Sequence, residues 1–273
     1  MAAASNHRLM NASDTRRNRK EPCVMIIESR ANERVKEARK LLLRKERKAS
    51  GLHLIESEKL VREAVRSGAV IVSCFIEDGF VFTPPDGAVC YTVTRAVLES
   101  LCESQTPQGV VAVVKTPDLT PPDTYPAGLV LVLDGVQDPG NVGAILRSAD
   151  AFGATGLLLS PACADAYAPK TLRAAMGSTY HLPVWQGELL PEIEKLRQQG
   201  FTALCGDLRG SETLPALNRN VALVIGSEGS GVSEAVADTC ERFRLTMRGR
   251  AESLNASVAA GVLLYVVSEA MPR

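Results

Sequence analysis

The sequence lacks the features that would place it in a membrane, in the secretory pathway or around a metal. Its 273 residues contain no apolar run near the roughly 20 residues that span a bilayer, and its start lacks the apolar core of a secretory signal. Seven cysteines are scattered without a CxxC pair, which disfavours a disulfide framework, a cysteine zinc site and redox chemistry. We therefore expect a cytoplasmic protein with reduced thiols and no bound metal.

The sequence also lacks a net charge, because 31 Lys and Arg balance 31 Asp and Glu. The charges are unevenly placed, since residues 1–50 hold 14 basic and 6 acidic side chains. Many of these cations fall on a segment predicted as one helix, with Val35, Ala38 and Leu42 as a narrow apolar stripe. Such a face suits phosphate contacts, although a merely solvated face explains the charge equally well. Its cations are Arg30, Arg34, Lys36, Arg39, Lys40, Arg44, Lys45, Arg47 and Lys48.

Composition divides the chain into four parts. Residues 1–24 lack periodicity and predict a disordered tail or a leader, with a mitochondrial transit segment as the alternative because acids are scarce there. Residues 25–115 predict a first folded unit, and the proline-rich stretch 116–128 predicts the linker and domain boundary. Residues 129–273 predict a second unit, in line with a chain longer than one typical domain.

Hydrophobic patterns predict alternating strands and helices in both units. In the first unit the predicted strands lie near Leu54 and over 70–76, 89–93 and 110–114. Its predicted helices, besides the basic one, cover 58–67 and begin again at Thr94. In the second unit apolar strands alternate with helical segments, which is typical of a parallel α/β sheet. These strands are predicted over 129–133, 156–159, 201–205, 221–225 and 243–245.

The last predicted helix, from Ser253 to Ala270, is apolar on nearly every side after Ser257. Such a helix needs to be covered by a core or by a subunit interface.

Three loops at predicted strand ends carry unusual polar residues, and ligands bind outside the carboxyl ends of parallel strands. The first loop contains the turn Asp-Pro-Gly-Asn, whose Asn141 is a natural N-cap for the helix that follows. In that helix the apolar residues recur at helical spacing, so Arg147 projects away from the buried stripe. The pattern indicates a polar site.

The second loop, from Gly226 to Gly231, is glycine-rich and contains Glu228. Its glycines let a backbone approach a ligand, although a tight turn explains them as well. It has neither the lysine of a P-loop nor the GxGxxG register of a dinucleotide fold, which disfavours a nucleotide-dependent oxidoreductase. In the third loop Ser253 is the predicted cap of the last helix, and Asn255 opens its first turn without an evident structural reason.

Together the three loops resemble, in order, the three motifs of the SpoU/TrmH family of RNA ribose 2′-O-methyltransferases. The matching segments run from Asp138 to Arg147, from Gly226 to Gly231 and from Ser253 to Ala259. Two further segments resemble the ends of that family's N-terminal substrate-binding domain. They are the pattern Asn32, Val35, Lys36, Arg39 and Lys40 with Ile55-Glu56, and the segment from Ser104 to Val110.

The resemblance implies an α/β fold in which a parallel-sheet domain with a deep trefoil knot follows a smaller N-terminal α/β domain that binds RNA. Pattern reasoning alone would predict an ordinary open sheet, because knots are very rare. S-adenosylmethionine would bind among the knotted loops, and the enzyme would be a homodimer. The residues expected to hold the cofactor are Gly206, Gly226, Leu245, Met247 and Leu254.

The resemblance also assigns roles at the site of methyl transfer. Arg147 is the base proposed for the family, but a guanidinium pKa above about 12 favours stabilisation of the developing alkoxide instead. Glu228 would orient Arg147 or the substrate. Substrate and loops would be held by Asn141, Ser253 and Asn255, and RNA would contact Arg30, Lys36, Arg39 and Lys40. Large-subunit ribosomal RNA is the expected substrate, with transfer RNA methylation or a non-catalytic RNA-binding role as alternatives.

Overall fold

The structure is a computed structural model that describes residues 26–104 and 107–272. The predicted leader over 1–24 lies outside the described residues, as do Gln105 and Thr106 of the segment from Ser104 to Val110. The described chain contains two β-sheets, one in each predicted unit.

A four-stranded mixed sheet organises the N-terminal unit (residues 26–115). Its strands are β1 (Leu52–Glu56), β2 (Ile71–Glu77), β3 (Val89–Val93) and β4 (Val110–Lys115), and its helices are α1 (Glu33–Lys40), α2 (Arg44–Ser50), α3 (Glu58–Arg66) and α4 (Arg95–Glu99). The strand order is β1-β4-β2-β3, with β4 antiparallel to both of its neighbours and β2 parallel to β3. The predicted strands of this unit are confirmed to within a residue or two.

A six-stranded sheet organises the C-terminal unit (residues 129–272). Its strands are β5 (Leu129–Asp134), β6 (Ala154–Leu159), β7 (Val184–Gln186), β8 (Thr202–Ser211), β9 (Val221–Gly226) and β10 (Glu241–Phe243). Its helices are α5 (Pro139–Ala151), α6 (Pro169–Ala175), α7 (Leu189–Gln198), α8 (Glu234–Ala237) and α9 (Ala256–Ala270), with a 3-10 turn at Ser178–Tyr180. Every neighbouring pair in the order β10-β8-β9-β5-β6-β7 is parallel, which confirms the predicted parallel α/β sheet.

Two strand predictions in this unit need correction. Strand β7 was not predicted, because three residues are too few to show a hydrophobic period. Strand β10 lies two residues earlier than predicted, since Glu241 and Arg242 pair with β8 while Leu245 already lies beyond the strand. The threading of the chain into a trefoil knot stays a prediction.

The predicted single basic helix is in fact two helices, α1 and α2. The chain turns between them because Leu41 is buried and Leu43 adopts an extended conformation, with φ −91° and ψ 129°. Arg47 of α2 is buried rather than part of a phosphate-binding face. Its guanidinium donates to Asp165 in the C-terminal unit at 2.8 Å and to the carbonyl oxygens of Leu41 and Leu42.

The two units share one hydrophobic core cluster, in which side chains of β1, α3 and β4 pack with those of the parallel sheet. The proline-rich segment 116–128 is docked along the C-terminal unit. The carbonyl of Leu119 accepts from the backbone N–H of Gln186 at 2.7 Å, and the buried Tyr125 donates to Glu192 at 2.7 Å. This segment therefore does not act as a free tether.

Helix α9 is only partly covered within one chain. Ala260, Leu263 and Val267 are buried, whereas Val258 and Tyr265 on another face are 51% and 55% exposed. Of the two predicted ways to cover this helix, the chain's own core therefore accounts for one face only. No helix of the described residues has the length and apolar character needed to cross a membrane.

Candidate functional site

The site is assembled at the carboxyl ends of the adjacent strands β5 and β9. These strands run in parallel with Asp134 opposite Gly226, so the loops that follow them leave the sheet side by side. The carboxylate of Asp134 accepts from the backbone N–H of Ser233 at 2.8 Å, which ties the two loops together. The first two of the three loops predicted at strand ends therefore lie beside one another at one edge of the sheet.

Helix α5 begins at Pro139 and is capped by Asp138, not by Asn141 as predicted. The Asp138 side chain accepts from the backbone N–H of Asn141 at 2.9 Å, and the fixed φ of proline suits the first helical position. Lys170 of α6 donates to the same carboxylate at 2.8 Å. These two contacts, with Lys170 first, hold the pKa of Asp138 below its usual value. Because Asp138 supplies the cap, the side chain of Asn141 is available for other contacts.

Asn141 links all three loops through its side-chain amide. Its Nδ2 donates to Oε1 of Glu228 in the second loop, and its Oδ1 accepts from Nδ2 of Asn255 in the third loop at 3.2 Å. We call Asn141, Glu228 and Asn255 the amide–carboxylate cluster. The structure thus brings together three of the five residues predicted to act at the transfer site.

Asn255 rather than Ser253 caps the last helix, which begins at Ala256. Its Oδ1 accepts from the backbone N–H of Ser257 at 2.9 Å and from the Ser257 hydroxyl at 2.6 Å. Ser253 precedes the helix and lines a cavity instead. Asn255 therefore has a structural role that the sequence did not reveal: its Oδ1 caps the helix. Its Nδ2 is at the same time free to bond Asn141.

Arg147 is exposed on α5, as predicted from its position outside the apolar stripe. Within the described residues, Glu228 bonds Asn141 and not Arg147, and Arg147 does not line the adjoining cavity. A single chain therefore presents the guanidinium to solvent without a side-chain partner in the cluster.

A cavity of about 840 Å³ opens beside the amide–carboxylate cluster. All five residues predicted to hold the cofactor line it: Gly206, Gly226, Leu245, Met247 and Leu254. Glu228 and Ser253 line it as well. Its size falls within the usual range of about 300–1,000 Å³ for small-molecule sites.

Gly226 lies where only glycine fits. Ser227 and Gly231 exchange two backbone hydrogen bonds, which folds the loop back on itself. A Cβ on Gly226 would then lie 2.0 Å from the carbonyl carbon of Gly231. This tight fold places Glu228 at the tip of the loop, beside Asn141.

The cavity fits S-adenosylmethionine chemically. Apolar side chains such as Leu245 and Leu263 suit an adenine ring, and the backbone at Gly206 lies so near Leu263 that a Cβ would come within 2.7 Å of its Cδ1. Asp207, Glu234 and Arg209 give the lining charges of both signs, as suits a cofactor that carries a sulfonium, an ammonium and a carboxylate.

An ion-pair network at the cavity rim was missed by the sequence reasoning. Arg209 bonds Asp207 and Glu234 at 2.8 and 2.7 Å, and Arg242 of β10 bonds the same two carboxylates at 3.0 and 2.8 Å. The hydrogen bond from Arg209 is the main reason that the pKa of Asp207 is lowered. No local pattern marks these residues, because they come from strands and a helix that are distant in sequence.

The predicted RNA contacts remain on the surface of α1 and the turn before it. Lys36 pairs with Glu33 at 2.8 Å and Lys40 pairs with Glu37 at 2.7 Å, while Arg39 is exposed. Exposed pairs of this kind contribute little stability, so these lysines can exchange their partners for phosphates. Arg30 donates through Nε to the carbonyl of Ala96 at 2.9 Å. Within the described residues, no cluster of side chains is suited to hold a metal ion.

Comparison with known proteins covers nearly all of the described chain. Residues 128–265 match the SpoU rRNA methylase family, and residues 32–112 match an MRM3-like substrate-binding domain. The chain is 35% identical over 245 residues to the 23S rRNA (guanosine(2553)-2′-O)-methyltransferase RlmP of Bacillus subtilis (strain 168), covering 88% of this chain and 97% of that protein.

Solved structures of similar proteins have the same fold. The AdoMet-bound rRNA methyltransferase from Sinorhizobium meliloti superposes with a TM-score of 0.80 at 28% identity, covering 88% of this chain and 96% of that one. The SpoU methyltransferase AviRb from Streptomyces viridochromogenes, in complex with AdoMet, gives a TM-score of 0.79 at 28% identity, covering 87% and 97%. These matches confirm the resemblance predicted from the three loops, and with it a methyltransferase that uses S-adenosylmethionine. The chain belongs to the SpoU rRNA methylase family.

Proposed function

We propose that this protein transfers a methyl group from S-adenosylmethionine to a ribose 2′-hydroxyl of large-subunit ribosomal RNA. The observation that carries the proposal is the amide–carboxylate cluster beside a cavity suited to the cofactor. The similarity to a 23S rRNA 2′-O-methyltransferase over 88% of the chain supports ribosomal RNA as the substrate.

The bound cofactor supplies an electrophilic methyl group, so the protein has to place a ribose hydroxyl in line with it and stabilise the charge that develops. Asn141 and Asn255 hold the three loops together by side-chain hydrogen bonds. Glu228 accepts from Asn141 and lines the cavity, so it connects the cluster to the cofactor site. The guanidinium of Arg147 acts on the substrate as a positive charge near the developing alkoxide.

The proposed active form is a homodimer that pairs through α9. Val258, Val262 and Tyr265 recur at helical spacing and are 51%, 40% and 55% exposed, which forms an apolar stripe along one face of the helix. Phe152, which follows α5, extends the stripe, since the centre of its ring lies 5.9 Å from that of Tyr265. Gel filtration over a range of concentrations tests this, and a fully active monomer would refute it.

We further propose that residues 129–273 form the knotted catalytic domain, that residues 25–115 capture the RNA through Arg30, Lys36, Arg39 and Lys40, and that the enzyme works in the cytoplasm. The match of residues 32–112 to a substrate-binding domain supports the RNA-capturing role and favours ribosomal over transfer RNA.

Mapping ribose methylation across total RNA, with and without the gene, tests the function. We expect one 2′-O-methyl group to disappear from large-subunit ribosomal RNA. Loss of a site in transfer RNA would support the alternative substrate, and an unchanged methylation map would refute the proposal.

A further inference from the structure

A second cavity, of about 370 Å³, lies between the N-terminal unit and helix α6. We call it the junction cavity, and define it by Ser57, Lys59, Leu60, Leu172, Arg173 and Met176. It shares no lining residue with the larger cavity beside the amide–carboxylate cluster. Neither the cofactor nor the transfer chemistry accounts for it.

Both non-glycine residues of the described chain that have a positive φ line this one cavity. Ser57 has φ 88° and ψ 143° at the start of α3, and Met176 has φ 54° and ψ 27° at the end of α6. Glycine adopts these conformations without strain and serves well at helix ends. Strained residues concentrate at ligand-binding sites, where the side chain does something that glycine cannot.

The chemistry of the junction cavity suits an aromatic ring attached to a phosphate. Met176 is 52% exposed at the rim, and thioethers pack favourably on aromatic rings. Leu60 and Leu172 supply buried apolar surface. Lys59 is exposed and supplies positive charge, whereas the charge of Arg173 is balanced by Glu56, which also lines the cavity, at 3.3 Å and by Glu103 at 3.4 Å.

The size and position of the cavity restrict what can enter it. A volume of about 370 Å³ lies near the lower end for ligand sites and suits one planar group rather than a helix. At the other end of α6, Lys170 bonds the Asp138 carboxylate that caps α5. Met176 follows Lys170 by six positions at the end of this helix, a rise of about 9 Å, which a few nucleotides of RNA can span.

We propose that the junction cavity holds one unpaired nucleobase of the RNA substrate, a few nucleotides from the ribose that is methylated. The inference rests on the proposed function. Sequence-specific RNA recognition uses bases that are splayed out of the stack. Met176 with Leu60 and Leu172 provides a thioether and apolar surface on which one such base can pack. Lys59 contacts an adjoining phosphate.

Steady-state methylation of ribosomal RNA from cells that lack the gene tests the proposal. The variants are Met176→Gly, Met176→Leu and Lys59→Gln, with Leu190→Ala of α7 as a control for loss of an exposed apolar side chain elsewhere. Thermal unfolding and cofactor affinity are measured for each variant. Met176→Gly relieves a strained φ, so we expect its thermal stability to equal or exceed that of the wild type.

We expect Met176→Gly to raise the KM for RNA by about 2- to 12-fold, the range for loss of a thioether packed on an aromatic ring, with kcat and cofactor affinity unchanged. Met176→Leu and Leu190→Ala should keep the wild-type KM. Lys59→Gln should raise KM less and lower the salt dependence of RNA binding by about one counterion.

Wild-type KM values for both Met176→Gly and Lys59→Gln would overturn the junction cavity as a base-binding site while leaving the methyltransferase intact. A wild-type protein that methylates no RNA would overturn the proposed function and this inference together. If Met176→Gly lost stability, RNA binding by Lys59→Gln would decide. A plot of log affinity against log salt concentration with the same slope as the wild type would then overturn the proposal.

Discussion

Acid should destabilise this protein through His53, and the size of the effect follows from where the imidazole lies. His53 of β1 is fully buried, with Nδ1 2.9 Å from the Thr116 hydroxyl and Nε2 2.7 Å from the Tyr180 hydroxyl. Burial, and secondarily the charge of Arg47, lower the pKa of His53 from 6.5 to about 3. The imidazole is therefore neutral in the folded protein at every pH at which the fold is normally studied.

The sign follows from the two pKa values. An unfolded chain binds a proton at His53 near pH 6.5, whereas the folded chain does not until about pH 3. Stability is therefore complete above pH 6.5 and declines as the pH falls from 6.5 towards 3. At pH 5 the expected loss from this one group is about 2 kcal/mol relative to pH 8.

Urea unfolding of the wild type and of His53→Gln at pH 8 and at pH 5 measures this loss. Glutamine keeps a hydrogen-bonding side chain but does not titrate, so its stability relative to the wild type should improve by about 2 kcal/mol on going from pH 8 to pH 5. His181 acts in the opposite sense, because Asp150 and Glu63 raise its pKa, but its effect is common to both proteins and cancels. An equal difference between the two proteins at both pH values would refute the reasoning.

Three further predictions concern the transfer site and the core. Arg147→Ala should lower methyl transfer by at least about 100-fold while cofactor affinity, measured by calorimetry, stays within a few fold; near-normal turnover would remove its assigned role. Asn255→Asp keeps an oxygen to cap α9 but loses the amide donor to Asn141, so activity should fall with little change in melting temperature. Asn255→Ala loses both, so it should also lower the free energy of unfolding by about 1 kcal/mol. An Asn255→Asp enzyme with full activity would reduce this residue to a helix cap. The buried hydroxyl of Thr179 has no hydrogen-bond partner among the described residues, so Thr179→Val should raise the free energy of unfolding by about 1 kcal/mol; a destabilised variant would show that the hydroxyl is satisfied.

Local chemistry was sufficient to predict most of the strands and the polar loops that follow them. Strand β5 is a buried apolar run bounded by turn residues, and the parallel arrangement then brings Asp138 and Glu228 to one edge. The helix caps at Asn141 and Ser253 were misplaced because several capping residues stand close together, and competition among them is decided by tertiary contacts. Asn255, which takes the cap position, also bonds Asn141, which lies 114 residues away in the sequence.

Long-range polar contacts could not be predicted, because no sequence period relates their partners. The sequence predicts Arg47 to be an exposed cation of a basic helix. Its guanidinium instead bonds Asp165, which lies 118 residues further along the chain. The rim network around Asp207 and Arg242 is of the same kind. Cysteine pKa values could not be predicted from the sequence either. Burial raises the pKa of the Cys74 thiol to about 12, and no neighbouring residue in the sequence indicates this shift.

The polar contacts between the two units converge on one short stretch of the C-terminal unit, which fixes the N-terminal unit relative to the transfer site. The pairs are Arg47 with Asp165, Glu56 with Arg173, His53 with Tyr180 and Glu63 with His181. The same stretch contains Lys170, which bonds the cap of the helix that carries Asn141. Since the proline-rich segment 116–128 is itself docked, the placement of the N-terminal unit depends on these contacts and on the shared apolar core, not on a flexible tether. If α1 captures the RNA as proposed, these contacts hold that RNA at a defined position relative to the amide–carboxylate cluster, which is the condition that transfer to one chosen ribose requires.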